Sequence, residues 1–128
     1  MMVARCSIAM AILALASSAT SAPSRVQITG IYSDLRYIKE AGDLVGTEVF
    51  IVNGGTVVYL QEAEGSPTDP VVAPSELNGN RITFSVPGSR FGDWDGVITK
   101  SGVDFSCKAA APDCRPLHLP RKNSYWQG

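Results

Sequence analysis

Apolar and polar residues alternate along most of the chain from Arg25 onward, which is the pattern typical of β-strands. The alternation is clearest in RITFSVP, where Ile82, Phe84 and Val86 share one face. Eight segments follow this pattern or are rich in β-branched and aromatic residues. These predicted strands are residues 25–33, 44–52, 56–65, 71–77, 81–87, 94–100, 103–108 and 115–122.

Tight turns separate the predicted strands. Asn53–Gly55 is a strong hairpin signal because the central residues of such turns need positive φ, and Asn78–Asn80 and Ser101–Gly102 give further turns. The sequence therefore predicts an all-β fold, an antiparallel up-and-down meander of seven or eight strands that closes into a small barrel or sandwich. Residues 33–42 interrupt the pattern, and we expect one short helical turn or a long loop there.

The first 22 residues have the layout of a secretory signal peptide. A basic Met1–Arg5 segment precedes the apolar run Ser7–Ala16, and small residues follow up to Ala22. We expect cleavage after Ala22, or alternatively after Ala19, which leaves residues 23–128 as one exported domain. The apolar run is shorter than the roughly 20 residues that span a bilayer, so we expect no stable membrane insertion once the signal is removed.

Charge and cysteine content narrow the function. The chain has 11 basic and 12 acidic residues, so it lacks the basic excess of a general nucleic-acid binder. Cys6 leaves with the signal, and Cys107 and Cys114 remain as an even pair in an oxidising compartment. We therefore predict a disulfide between them.

The order of these features resembles a reduced lipocalin or avidin-like barrel. Lipocalins place a Gly-x-Trp on the first strand and an Arg on the last, packed across the barrel floor. Here Gly30 begins GIY, Tyr32 stands where the Trp would be, and Arg121 follows the last strand. The whole mature chain, from EAGDLVGTE through QEAEG to SYWQG, also resembles small exported bacterial proteins of no assigned activity. Eight strands would enclose side chains or one small ligand.

Acidic residues are the first candidates for chemistry. Glu48, Glu62 and Glu64 are interpreted as solvated acids on a sheet face, since an inward Glu48 would need Gln61, Tyr59 or Arg121 as a partner. Asp93 and Asp95 flank Trp94 and could suggest glycoside hydrolysis or calcium binding, but too few further oxygen ligands lie nearby for calcium. We interpret the pair as loop residues.

No motif assigns a catalytic residue, a metal site or a cofactor. His118, the only histidine, lies between leucines and is expected at the surface, away from any nucleophile motif. Tyr32 and Tyr59 are expected in the core. The C-terminal Tyr125 and Trp126 either dock back on the barrel, which we expect, or offer an anchor to a partner.

Three functions remain open. The first is a non-catalytic binding protein for a small apolar ligand or a protein partner, with Tyr59, Gln61, Glu48 and Trp94 as candidate ligand-binding residues. The second is an inhibitor of an extracellular hydrolase, a lysozyme or protease, that uses Ser66–Pro70 or Arg90–Asp95 as its inhibitory loop. The third is a hydrolase that uses Asp93, Asp95 or Glu48.

Overall fold

Nine antiparallel strands make up the structure, a computed structural model that describes Ser18, residues 25–108 and residues 112–127. The predicted signal peptide and its cleavage sites lie outside these residues apart from Ser18. The strands are β1 Gly30–Ser33, β2 Arg36–Ile38, β3 Asp43–Val52, β4 Val57–Gly65, β5 Val71–Asn78, β6 Arg81–Ser85, β7 Asp93–Ile98, β8 Gly102–Phe105 and β9 Leu117–Pro120. A 3-10 turn, Tyr125–Gln127, follows β9.

The strands follow one another around the sheet as an up-and-down meander, which confirms the predicted fold class. The barrel closes over a short seam, where Tyr32 pairs with Arg121 and the Lys122 N–H donates to the Ile31 carbonyl at 3.1 Å. An open sheet edge exposes unpaired backbone N–H and C=O groups that can pair with another chain and cause aggregation. Closure of the barrel covers part of that edge.

The expected helical turn or loop at residues 33–42 is wrong for residues 33–38, which continue the first strand, whereas residues 39–42 do form a turn that Gly42 closes by donating to the Ile38 carbonyl at 2.9 Å. β1 and β2 keep the same register against β3, from Gly30 opposite Ile51 to Ile38 opposite Asp43. Between the two strands, Asp34 Oδ1 accepts the Thr47 N–H at 2.6 Å. The helix-like spacing of Leu35 and Ile38 was misleading, since pairing with β3 decides the conformation.

Inward side chains fill the lower part of the barrel. Ile82, Phe84 and Val86 are buried as predicted. The other members of the core cluster are Tyr32, Val49, Ile51, Val58, Leu60, Ala73, Trp94, Ile98, Val103, Phe105, Leu117 and Leu119. Burial of this apolar surface is the main force that stabilises the fold.

The N-terminal segment covers one end of the barrel, which we call the floor. Val26 and Ile28 pack against the core, and the Tyr32 hydroxyl donates to the Ile28 carbonyl at 2.7 Å. The Arg121 guanidinium lies 4.7 Å from the Tyr32 ring centroid and donates to the Gln27 carbonyl. Burial raises the pKa of Tyr32, while Arg121 opposes that rise.

Candidate functional site

Glu48 is buried and hydrogen-bonded, and the prediction that it is solvated is wrong. It lies on the outer face of β3, as predicted, but only 9% of the residue is exposed. Its Oε1 accepts the Ser124 hydroxyl at 2.5 Å, and its Oε2 accepts the Tyr125 N–H at 3.0 Å. These two bonds satisfy a carboxylate that would otherwise be costly to bury. The partners suggested by the sequence do not hold Glu48.

The C-terminal segment therefore docks back on the barrel, as predicted. Gln61 lies directly opposite Glu48 on β4, and its Oε1 accepts the Trp126 indole N–H at 2.7 Å. The Tyr125 and Trp126 rings pack edge to face, 5.0 Å apart. Both rings stay open to solvent, since Trp126 is 54% and Tyr125 36% exposed. The segment is anchored at its polar atoms and presents its rings outward.

Tyr59 is 43% exposed, so its expected place in the core is wrong. Its neighbours Val58 and Leu60 face inward, and alternation along β4 then turns Tyr59 outward. Across the sheet, Tyr59 pairs with Phe50 on one side and with Val72 on the other. The Phe50 and Tyr59 ring centroids are 5.9 Å apart.

These outward side chains and the docked C-terminal rings form one surface, which we call the aromatic face. It consists of Phe50, Tyr59, Val72, Tyr125 and Trp126, all exposed to solvent. The neighbouring outward row is also uncharged and contains Val52, Val57 and Pro74. An exposed apolar surface of this kind is typical of interaction sites. Three of the four candidate ligand-binding residues, Glu48, Tyr59 and Gln61, meet here.

Trp94, the fourth candidate, lies elsewhere, inside the core. It is 1% exposed and contacts three aromatic rings, of which Phe84 is stacked at 5.4 Å. Its indole N–H donates to the Ser89 hydroxyl at 2.8 Å. Trp94 therefore packs in the core, and its side chain is not accessible to a ligand.

Asp93 and Asp95 lie in β7, so their interpretation as loop residues is wrong, because both pair in register with β6. Both side chains point outward, and each is paired with a cation. The Lys108 ammonium lies 2.5 Å from Asp93 Oδ2, and the Arg81 Nε donates to Asp95 Oδ1 at 2.8 Å. The bond from Lys108, helped by Ser85, lowers the pKa of Asp93, and the bond from Arg81 lowers the pKa of Asp95. A glycosidase general acid needs a raised pKa, so this pair is poorly suited to that reaction.

The direction of these shifts predicts how the two acids affect stability with pH. A lowered folded-state pKa stabilises the fold above the unfolded value of 3.8, and that contribution is lost as the pH falls further. We therefore expect Asp93→Asn/Asp95→Asn to weaken the dependence of stability on pH below about pH 4. Urea denaturation of both proteins at pH 3 and pH 7 measures it. Since both pairs are solvated, the difference should be small, and a large loss at pH 7 would contradict the assignment.

His118 lies at the surface of β9, as predicted. Its Nδ1 is 2.6 Å from Asp104 Oδ1 on β8, and both side chains are about half exposed. The two residues are directly opposite in the strand register. Cross-strand pairing explains the contact, and we assign it no catalytic role.

Cys107 and Cys114 form the predicted disulfide. The bond lies outside the core cluster, and it ties the chain after β8 to the chain before β9. This position keeps the connection close to the open end of the barrel, where Cys114 and Arg115 line a cavity.

Removing the disulfide should destabilise the protein without unfolding it. Closing an eight-residue loop stabilises by about 2.5 kcal/mol in the chain-entropy model, so we expect Cys107→Ser/Cys114→Ser to lose up to that amount. Urea denaturation measures the change, and thiol titration of the unfolded parent confirms that the pair is bonded. Complete unfolding of the double variant at 25 °C would contradict this account.

A wide polar cavity occupies the open end of the barrel, and we call it the mouth cavity. Its volume is about 1230 Å³. Alternation on β4 turns Glu62 and Glu64 inward at this end, above the apolar core. The Glu62 carboxylate accepts the Arg90 N–H at 3.0 Å, and an Arg90 guanidinium nitrogen donates to the Arg115 carbonyl at 3.2 Å. The lining is therefore charged, with the apolar core beneath it.

Two features are absent from the part of the chain that the structure describes. In that part of the chain, no three His, Cys, Asp or Glu side chains are grouped to hold a metal ion. No helix within it has the length and apolar character needed to cross a membrane.

The fold and the site define an all-β barrel protein with an outward aromatic face and a charged mouth. Comparison with protein-family models, with curated proteins and with solved structures finds no match to this chain.

Proposed function

We propose that this protein is a non-catalytic, exported binding module that recognises a protein partner through the aromatic face. The observation that supports this most is the combination of exposure and fixed geometry at the C-terminal rings. Trp126 is 54% exposed while its indole nitrogen is hydrogen-bonded to Gln61. Tyr and Trp dominate the energetics of protein interfaces, and side chains already held in place lose less entropy on binding.

The chemistry of the surrounding surface supports a protein partner. The outward rows that pass through Phe50 and Val52 carry no charge across β3, β4 and β5. The centres of protein interfaces are similarly depleted in charge and enriched in aromatic residues. Glu48, the one acid on the outer face of β3 next to this surface, is covered by the C-terminal segment.

A small apolar ligand inside the barrel receives less support. The inward side chains of the lower barrel are in contact with one another, and the mouth cavity above them is lined by charged and polar groups. Apolar ligands favour mostly apolar pockets. Of the two partners predicted for a binding protein, we therefore propose a protein and not a small apolar ligand.

The disulfide is consistent with export, because such bonds persist in oxidising compartments. We propose that the N-terminal segment directs the chain there and that residues 23–128 are the functional protein. Intact mass measurement of the protein recovered from the cells that make it tests this. Loss of the first 22 residues with one disulfide present is the expected result, and retention of the full chain would contradict it.

Site-specific photo-crosslinking tests the binding function. A photoreactive phenylalanine analogue replaces Val72 on the aromatic face, or Val97, an equally apolar residue that is 42% exposed on β7. The Val72 position should crosslink one discrete protein in the compartment where the chain accumulates, and Trp126→Ala should reduce that product. The Val97 position should not give it. Identical products at both positions, or none at Val72, would count against the proposal.

A second candidate, inhibition of an extracellular hydrolase, is favoured by one observation. Ser66 and Thr68 from the first predicted inhibitory loop and Arg90 from the second line the same mouth cavity. Two loops at one end of a barrel can enter an enzyme cleft together. Assays against a panel of lysozymes and proteases test this, and a loss of inhibition in Arg90→Ala would support it.

A further inference from the structure

We infer that the mouth cavity is a second binding site, for a polypeptide segment that carries charges of both signs and a net positive charge. This inference goes beyond the proposed function, because the aromatic face lies on the outside of the barrel and the mouth cavity opens at its end. The charged lining of the cavity, the lack of salt bridges among its described residues and the fixed positions of its walls support this inference.

Charges of both signs line the cavity. Three guanidinium groups come from separate parts of the chain, with Arg36 on β2, Arg90 before β7 and Arg115 after the disulfide. Five carboxylates also line it, and of these Asp34 and Glu62 accept backbone N–H groups. The remaining three carboxylates belong to Asp43, Glu64 and Asp113.

Among the described residues, these charged groups form no salt bridge with one another. Within residues 25–108 and 112–127, the salt bridges join Arg81 to Asp95, Lys108 to Asp93 and His118 to Asp104. None of those residues lines the mouth cavity. The guanidinium and carboxylate groups around the cavity therefore have no ionic partner among the described residues that line it, although two of the arginines and two of the acids already hydrogen-bond to backbone groups.

The charge balance selects the class of ligand. A purely anionic ligand would be repelled by the five carboxylates, and a purely cationic one would leave the three guanidinium groups unpaired. A segment with both signs can place its carboxylate on an arginine, in the bidentate geometry that strengthens such pairs, and its ammonium or guanidinium groups on the acids. The excess of acids over arginines favours a net positive segment.

The walls of the cavity are held before any ligand binds. The Arg90 backbone and side chain bond to Glu62 and Arg115 respectively, and the disulfide fixes the chain next to Arg115. Charged groups on a fixed frame need less rearrangement to receive a ligand. At about 1230 Å³, the cavity is large enough for several residues of an extended segment.

Selection from a display library of random heptapeptides tests the inference, with the disulfide-bonded protein as the target. Enriched peptides should contain both acidic and basic residues with a basic excess. A synthetic copy of one should bind about tenfold more weakly to Arg115→Ala and to Glu64→Gln, since each change removes one charge-assisted contact. Binding should also weaken between 50 mM and 500 mM NaCl.

Two control variants separate the sites. Lys100→Ala, in the turn at the opposite end of the barrel, should leave peptide affinity unchanged, and so should Trp126→Ala on the aromatic face. Enrichment of uncharged peptides, no enrichment, or equal affinity for the parent and Arg115→Ala would overturn the inference. Loss of binding in Trp126→Ala would overturn it too, since the peptides would then bind the aromatic face. Photo-crosslinking at Val72 reads out the proposed function independently.

Discussion

Replacing Trp94 with alanine is expected to lower the free energy of unfolding by about 4 kcal/mol, within the range for truncating a buried aromatic side chain. Trp94 is 1% exposed and packs against Phe84, Phe91 and Phe105, with ring centroids between 4.7 and 5.4 Å away. The substitution removes all three ring contacts and the bond to Ser89, and it leaves a cavity in the core.

Urea denaturation followed by circular dichroism measures this loss, and Trp94→Phe is the matched control. Phenylalanine keeps a ring in the core, so it should cost clearly less than alanine. If Trp94→Ala instead retained parental stability, the filled interior described above would be wrong. An apolar ligand space in the lower barrel would then need to be reconsidered.

Replacing Arg121 with alanine is expected to cost about 3 kcal/mol, because one side chain both caps Tyr32 and ties the barrel floor together. Cation–π contact contributes about 0.5–2 kcal/mol, and hydrogen bonds to a charged group contribute about 1.5–3 kcal/mol. Arg121 makes the first with the Tyr32 ring and the second with the Gln27 and Thr29 carbonyls.

Arg81→Ala is the control for this prediction. Arg81 forms a solvated ion pair with Asp95 on the wall of the barrel, and such pairs contribute little. Urea denaturation should therefore show a much larger loss for Arg121→Ala than for Arg81→Ala. Equal losses would show that the seam between β1 and the chain after β9 does not close the barrel in solution.

Much of the fold could be predicted because successive side chains of a strand point to opposite faces, so an alternating apolar pattern indicates which residues are buried. Ile82, Phe84 and Val86 face inward as their alternation requires, and Asn53–Gly55 turns between β3 and β4 as its composition predicts. The expected position of Tyr59 in the core is wrong, although the alternation of side chains along β4 indicates that it faces outward. Val58 and Leu60 on either side of it are buried, and two inward neighbours leave only the outward face for Tyr59.

Contacts between distant segments could not be predicted in the same way. Glu48 and Ser124 are 76 residues apart, and no local pattern around Glu48 shows that a segment will cover it. The prediction that the C-terminal rings dock back was confirmed, but their position on Glu48 and Gln61 depends on the order of strands around the barrel. The mouth cavity is likewise assembled from five separate parts of the chain.

The docked C-terminal segment is central to this account, because it fixes two of the five side chains of the aromatic face. Its most direct test is the exchange rate of the Tyr125 amide hydrogen, which donates to Glu48 Oε2 at 3.0 Å. Exchange measured by NMR should be slow in the parent protein and fast in Glu48→Ala, while core amides of β7 keep their protection. Fast exchange of the Tyr125 amide in the parent would mean that the segment is not held, and the aromatic face as described would not exist.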